Sequence, residues 1–533
     1  MGRPFHLIRN QRQSELAATS IPVIDLFAGP GGLGEGFSAF SANGGRPFQL
    51  KLSVEKDPIA HQTLELRAFF RHFPHGEAPE AYYRFLQNGG LGRSELFDRY
   101  PAAATQARAE AWHAELGIVQ EAELDNRIRA SLPENEPWVL IGGPPCQAYS
   151  VVGRSRRGGM DPKDPRVHLY KQYLRILAVH RPHIFVMENV KGLLSSKIGD
   201  EWVFERIMTD LSAPNTAFPK TNRSPQVDYT IHSIQNIGDR LPLSSHHATT
   251  RPSDFIIECE RYGIPQARHR VVLVGVRSDL AADTLTKLRP RNPVALSQIL
   301  DGLPRIRSGL SREVDSFDAW SNILKGTIHS DWFEELNKRG DWALCNEISD
   351  QTKRLSKSPK DRGGQYLEGA ASCEYRKRWY TDTKLKGVCN HESRLHISKD
   401  LERYFFAACF AIVNKKSPRL EDFPPQLLPD HGSVADALSG AGYFADRFRV
   451  QVDHRPATTV TSHISKDGHY YIHPDPNQCR SLTVREAARI QTFPDNYFFC
   501  GPRTQQYHQV GNAVPPLLAR QLAGIVFDAL AEQ

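Results

Sequence analysis

IPVIDLFAGPGGLGEGF, residues 21–37, decides the fold. Its first part is apolar and partly β-branched, as a buried strand requires, and it runs without a break into a glycine cluster that opens a helix. Gly29, Gly31 and Gly34 stand in the GxGxxG spacing, and Glu55 closes the next apolar run, QLKLSVE (49–55). Glycines let a backbone approach a ligand closely, a helix N-terminus attracts an anionic group, and a carboxylate at the end of the second strand accepts hydrogen bonds from ribose hydroxyls. The pattern reads as a site for an adenosine-containing cofactor. A nicotinamide or flavin nucleotide meets the same requirements, and so does a tight turn with no ligand.

Outward from this turn the period alternates between strand and helix. DPIAHQTLELRAFF (57–70) is helical, while WVLIGG (138–143), HIFVMENV (183–190) and RVVLVGVR (270–277) read as buried strands. The fold class is therefore α/β, a Rossmann-like, doubly wound parallel sheet over residues 21–279, preceded by an N-terminal extension, 1–20. A charged, Ala-rich helical insertion at 73–133 interrupts the rhythm. From 280 to 450 the chain turns polar, aromatic and basic with short apolar runs, which predicts a smaller, mixed second domain. There Arg and Lys between 353 and 386 interleave with Tyr366, Tyr375, Trp379 and Tyr380, a composition suited to phosphates and bases but also to a solvated basic face. Residues 451–533 are expected to return to the first domain, with helical SLTVREAARIQTFPD (481–495) and an amphipathic helix after Pro516.

Composition sets bounds only. The 533 residues are 40% hydrophobic and 24% charged, enough for a sizeable core and too long for one ordinary domain. A net charge of +7 suits a polyanionic partner without requiring one. Eight cysteines stand singly, without a CxxC pair, so neither a zinc site nor a disulfide framework is expected, and a reducing compartment is. No signal-peptide core and no run of about 18 apolar residues is apparent, so the expectation is a soluble, cytoplasmic chain without a membrane partner or metal.

Three groups carry chemistry. GGPPCQAYS (142–150) delivers Cys146 from the end of a strand to the carboxyl edge of the sheet, where ligands of such sheets bind. A lone cysteine is usually a small buried hydrophobe, but a thiol in a Gly/Pro loop flanked by Gln147 and Ser150 reads as a nucleophile. Glu188 ends the apolar strand HIFVM, a costly place for a charge unless it faces a polar cleft. In QARHR (266–270), Arg268 and Arg270 alternate, so both are expected on one face, toward a polar base edge or a phosphate.

In this order, FAGPGG, PPCQ, ENV, QxRxR, RPATT with LTVREAARIQTFPD, and QVGNAVPP (509–516) resemble the DNA (cytosine-5)-methyltransferases of bacterial restriction-modification systems. The resemblance spans 21–277 and 450–531 and leaves 280–450 as a target recognition domain. It implies S-adenosylmethionine as cofactor and double-stranded DNA as partner. Catalysis would fall to Cys146, Glu188, Arg270 and Arg268, and cofactor binding to Phe27, Gly29, Gly31, Glu55, Asn512 and, as the acidic residue near adenine, Asp125. The thiolate would add to carbon 6 of a flipped-out cytosine, and the loop with Arg154, Arg156, Arg157, Gly158 and Gly159 would close on DNA. Tyr149 stands where many members carry Phe.

The resemblance also implies a monomer acting at the bacterial nucleoid on hemimethylated or unmethylated duplex, with a cognate restriction endonuclease as a separate protein. Two alternatives stay open: an RNA cytosine-5 methyltransferase, since one branch of the family modifies transfer RNA, and a catalytically silent DNA-binding homologue. A nicotinamide-dependent oxidoreductase leaves PPCQ, ENV and QVGNAVPP without roles.

Overall fold

The apolar runs of the first half assemble into one sheet. In the computed structural model the described residues are 20–87, 90–134, 136–145, 165–198, 201–218, 226–235, 251–280, 285–430 and 445–532, with 13, 16 and 434 besides. They divide into two compact units: 1–78, 97–293 and 513–533 form the first, and 79–96 with 294–512 the second.

The first unit is built on strands β1 (Ile21–Leu26), β2 (Phe48–Glu55), β3 (Ala111–His113), β4 (Val139–Gly142), β5 (Ile184–Val190), β6 (Tyr229–His232), β7 (Ile256–Glu258) and β8 (His269–Arg277). Their order is β3-β2-β1-β4-β5-β8-β6, with β7 also on β8. β1 to β5 pair in parallel, whereas β8 runs antiparallel to β5, β6 and β7. The sheet is thus mixed, not wholly parallel as its period suggested. The ten residues between β7 and β8 are too few for a parallel crossover, which needs a dozen or more, so the chain returns antiparallel.

Helices α1 (Gly32–Ser38), α2 (Pro58–Arg71), α3 (Pro101–Glu110), α4 (Glu121–Ser131) and α5 (Pro165–His180) connect the strands. Asp57 starts α2 by accepting from the amides of Ile59 and Ala60, with Pro58 in the first turn, a combination readable in the sequence. The core of one sheet face runs through Leu26, Leu140, Phe185, Met187 and Leu273 to Tyr173 and Leu177 of α5. The C-terminal helix Pro516–Ala531 packs on α1 through Ala519, close enough that a Cβ at Gly36 would sit 2.4 Å from the Ala519 Cβ. The run Arg503–Ala531 has the length and hydropathy of a membrane span, but 78% of its most apolar window is buried inside the protein, as in a core helix.

The insertion expected at 73–133 is not one body. Residues 79–96 belong to the second unit, while β3 joins the sheet edge with Ala111 opposite Ser53, Trp112 opposite Val54 and His113 opposite Glu55. Three residues are too short to display an alternating period, which hid this strand in the sequence.

The second unit holds a helical core, in which Trp320, Trp332, Phe405, Phe406 and Phe423 cluster, and a hairpin of β9 (Gly363–Glu368) and β10 (Gly387–Glu392). Residues 451–512 belong to this unit, and only 513–533 rejoin the first, so the expected return at 451 is corrected. The reason is polar burial. In the segment around helix α6 (Val484–Ile490), Arg480 binds Glu486, Arg489 binds Asp495, and Arg485 donates to the carbonyls of Cys389, Pro494 and Tyr497, all within this unit. Buried charges hold only when fully partnered, and these partners lie in the second unit.

Candidate active site

The strand order reverses between β1 and β4, the place where sheets of this kind bind ligands, and Leu26 at the end of β1 stands opposite Gly142 at the end of β4. Beyond Leu26 the backbone is left-handed at Phe27 (φ 57°), Gly29 (φ 57°) and Gly31 (φ 96°), the last capping α1. A Cβ built on Gly29 meets nothing within 4 Å, so the turn presents bare backbone to open space. Gly34 serves another purpose: a Cβ there would lie 2.6 Å from Leu50 Cδ1 and 3.1 Å from Asp25 Oδ2, so its absence lets α1 lie on the sheet. Glu55 accepts from the Gly29 amide at 2.7 Å through one oxygen and from the Asp57 amide at 2.7 Å through the other. Burial raises its carboxyl above the usual range, and these amides offset part of the rise. An open backbone, a helix N-terminus and a carboxylate at the end of β2 together fit an adenosine-containing cofactor.

Beneath the turn lies Asp25, fully buried at the end of β1. Neither carboxylate oxygen has a hydrogen-bond partner among the described residues. Burial pushes its pKa up to about 8, offset only in part by the nearby Gly34 amide and Arg71.

At the next strand ends the chain is equally crowded. A Cβ on Gly142 would lie 2.6 Å from the Leu26 carbonyl oxygen, and one on Gly143 3.3 Å from Glu188 Oε2. The segment leading to residue 146 therefore passes directly beside the Glu188 carboxylate, and Asn189 fastens it by donating from Nδ2 to the Pro144 carbonyl at 3.2 Å. Glu188 pairs with Arg270 across the antiparallel β5/β8 ladder, Nε to Oε1 3.0 Å, both side chains nearly nine-tenths shielded. Arg270 is itself oriented by its bond to the His269 carbonyl. The ion pair thus fixes the carboxylate against the chain that leads to residue 146.

Cys146 and the loop with Arg154, Arg156, Arg157, Gly158 and Gly159 lie outside the described residues. The other seven cysteines are all buried. Burial pushes Cys259 and Cys389 up to about 12 and Cys373 up to about 11, so these three cannot offer a thiolate near neutral pH.

Two sequence-predicted residues have partners that the sequence did not indicate. Arg268 is 2% exposed and donates to the Ala513 carbonyl at 3.0 Å, so it tethers the C-terminal segment to the start of β8. Asp125 lies on α4, held by Arg175 at 2.8 Å and His180 at 2.7 Å of α5, and these bonds keep its carboxyl below the usual range against its burial. These bonds fasten α4 to α5 through Asp125. The acidic residue that follows β3 is Glu115, half exposed and 3.2 Å from Lys56, one strand along from Glu55. Its position was hidden in the sequence because β3, which precedes it, was not read as a strand. Asn512 is exposed at the end of the helix Arg503–Asn512 in the second unit, with its amide near the His508 ring.

Comparison with known proteins adds sequence kinship to this geometry. A family model described as C-5 cytosine-specific DNA methylase matches residues 105–213 and 253–527. The type II methyltransferase M.Bpa9945I of Bacillus paralicheniformis is 31% identical over 528 residues, 95% of this chain and 99% of that protein. M.DdeI of Desulfomicrobium norvegicum, also a type II methyltransferase, is 26% identical over 72% of this chain and 71% of its own length. The DNA (cytosine-5-)-methyltransferase M.ApeKI of Aeropyrum pernix is 27% identical, covering 74% and 81%.

Proposed function

This chain belongs to the C-5 cytosine-specific DNA methylase family and is a DNA (cytosine-5-)-methyltransferase, and from that premise we propose how its residues divide the reaction. Cys146 is the nucleophile. Carbon 5 of cytosine is too weak a nucleophile to take a methyl group directly, so the thiolate adds to carbon 6 and turns the ring into an enamine. Glu188, aimed by Arg270, shares a proton with ring nitrogen 3 so that the addition leaves no net charge on the base. After methylation, loss of the proton on carbon 5 expels Cys146 and restores the aromatic ring. The base reaches Cys146 only outside the helical stack, so it is flipped out at a cost of a few kcal/mol.

S-adenosylmethionine supplies an electrophilic methyl group when bound. Phe27, Gly29 and Gly31 offer it bare backbone, Glu55 its carboxylate for the ribose, and Glu115 takes the adenine side. Arg268 acts as a tether between β8 and the C-terminal segment. The duplex sequence is read by the second unit, and kinship with type II methyltransferases along 95% of the chain supports a modification enzyme of a restriction-modification system.

The observation that carries this reading is the shielded Glu188–Arg270 pair, 3.0 Å apart, beside the Gly143 that leads to Cys146. Its test is bisulfite sequencing of plasmid DNA from cells expressing the intact chain or Cys146→Ala. Methylcytosine in one short context with the intact chain alone is the expected result. Methylation by the variant removes the nucleophile, and unmodified DNA with methylated RNA moves the substrate.

A further inference from the structure

The hairpin β9/β10 is closed by residues 369–386, whose base is Glu368 opposite Gly387 and the Gly369 amide on the Lys386 carbonyl. Eighteen residues is long for a hairpin connection, and this loop carries a short helix of its own. This one is clamped from beneath. Trp379 donates from Nε1 to the Thr492 carbonyl at 2.8 Å, Tyr380 from its hydroxyl to the Arg489 carbonyl at 2.9 Å, and the Ser372 carbonyl accepts from Arg489 at 2.9 Å. Asp382 is held by the Tyr83 hydroxyl and the Asn496 amide, both at 2.8 Å. Every one of these partners belongs to the second unit.

The upper surface is the reverse in character. Arg376, Lys377, Arg378, Lys384 and Lys386 face two acids, Glu374 and the already engaged Asp382. Lys377, Arg378 and Lys386 are exposed and form no ion pair among the described residues. Arg376 is left-handed (φ 48°), as is Lys386 (φ 54°), a conformation costly for a residue with a Cβ and tolerated where surroundings impose it. The Arg376 guanidinium lies against Tyr375, and in the short helix Lys377–Tyr380 the two aromatic residues bond to the segment around α6 while Lys377 and Arg378 are exposed. The cations contribute nothing to the core, and the clamp fixes their backbone before any partner arrives.

We propose that this clamped prong is the element that reads the target sequence, an assignment that rests on the methyltransferase reading above. Arg378 contacts a base edge in the major groove, with guanine, whose O6 and N7 accept a guanidinium in two bonds, as its partner. Lys377 and Lys386 lie against phosphates.

The test uses the full-length chain and the variants Arg378→Ala, Lys377→Ala and Lys386→Ala. Each is assayed by bisulfite sequencing on a DNA library randomised around the target cytosine and by DNA binding across salt concentrations. The intact chain is expected to require guanine at one position of its target. Arg378→Ala relaxes that position alone by about ten- to a hundredfold while methylation continues. Each lysine variant keeps the sequence and lowers the slope of log affinity against log salt by about 1. Uniform loss of methylation in Arg378→Ala, or unchanged discrimination, overturns the base contact. Unchanged salt slopes in both lysine variants overturn the phosphate contacts. A wild-type chain that leaves DNA unmethylated refutes the functional reading itself, an outcome distinct from every variant result.

Discussion

Replacing Asp25 by Asn isolates the cost of a buried carboxyl beneath the cofactor turn. The pKa of Asp25 is pushed up by burial to about 8 in the fold, against 3.8 for the ordinary group. Between these values the folded protein holds a proton that the unfolded chain has released, so raising the pH through this window favours unfolding. Below about pH 4 both states are protonated and the group is neutral in its effect; above about pH 8 both are ionised and the full penalty stands. The slope is about 1.4 kcal/mol per pH unit, which amounts to roughly 4 kcal/mol by pH 7. Asn fills the same space without a proton to lose.

The measurement is calorimetric melting of wild type and Asp25→Asn from pH 5 to pH 8, comparing their difference at each pH so that all other titrations cancel. Between pH 5 and pH 7 the variant should gain about 3 kcal/mol on wild type, or roughly 6–12 °C in the melting of the first unit. Parallel melting curves across the range, with a constant gap, would show that Asp25 does not hold its proton and that the reasoning is wrong.

Two other substitutions probe the site and its scaffold. Glu188→Gln keeps the shape beside Gly143 but loses the proton-sharing carboxylate, so kcat should fall about 10²–10⁴-fold with cofactor affinity unchanged, as read by transfer of a labelled methyl group; a kcat within threefold of wild type removes Glu188 from the reaction. Gly36→Ala places a Cβ 2.4 Å from both the Ala519 Cβ and the Pro516 carbonyl and 2.6 Å from the Arg520 amide. Backbone cannot step aside as a side chain does, so a loss of about 1–3 kcal/mol is expected in thermal melts, and an unchanged melting temperature would mean the C-terminal helix yields freely.

The central strands and the glycine turn with Glu55 were legible in the residues alone. Long buried strands announce themselves by uninterrupted apolar runs, and each of these groups sits at the end of one. What only the tertiary structure decided came from interactions distant in sequence. Arg268 and Arg270 alternate in the sequence, yet one tethers Ala513 and the other meets Glu188, because their partners arrive from chain segments that local spacing does not encode. Asp125 has the right charge in roughly the right region, but helix packing commits it to Arg175 and His180. The place of Glu115 beside Lys56 was hidden because the three-residue strand before it is a strand only beside β2. The segment 451–512 looks like a return to the first domain until its buried arginines are seen to find their carboxylates and carbonyls in the second. Period and motif report what a segment buries. Which partner satisfies a buried charge is settled only when the chain has closed on itself.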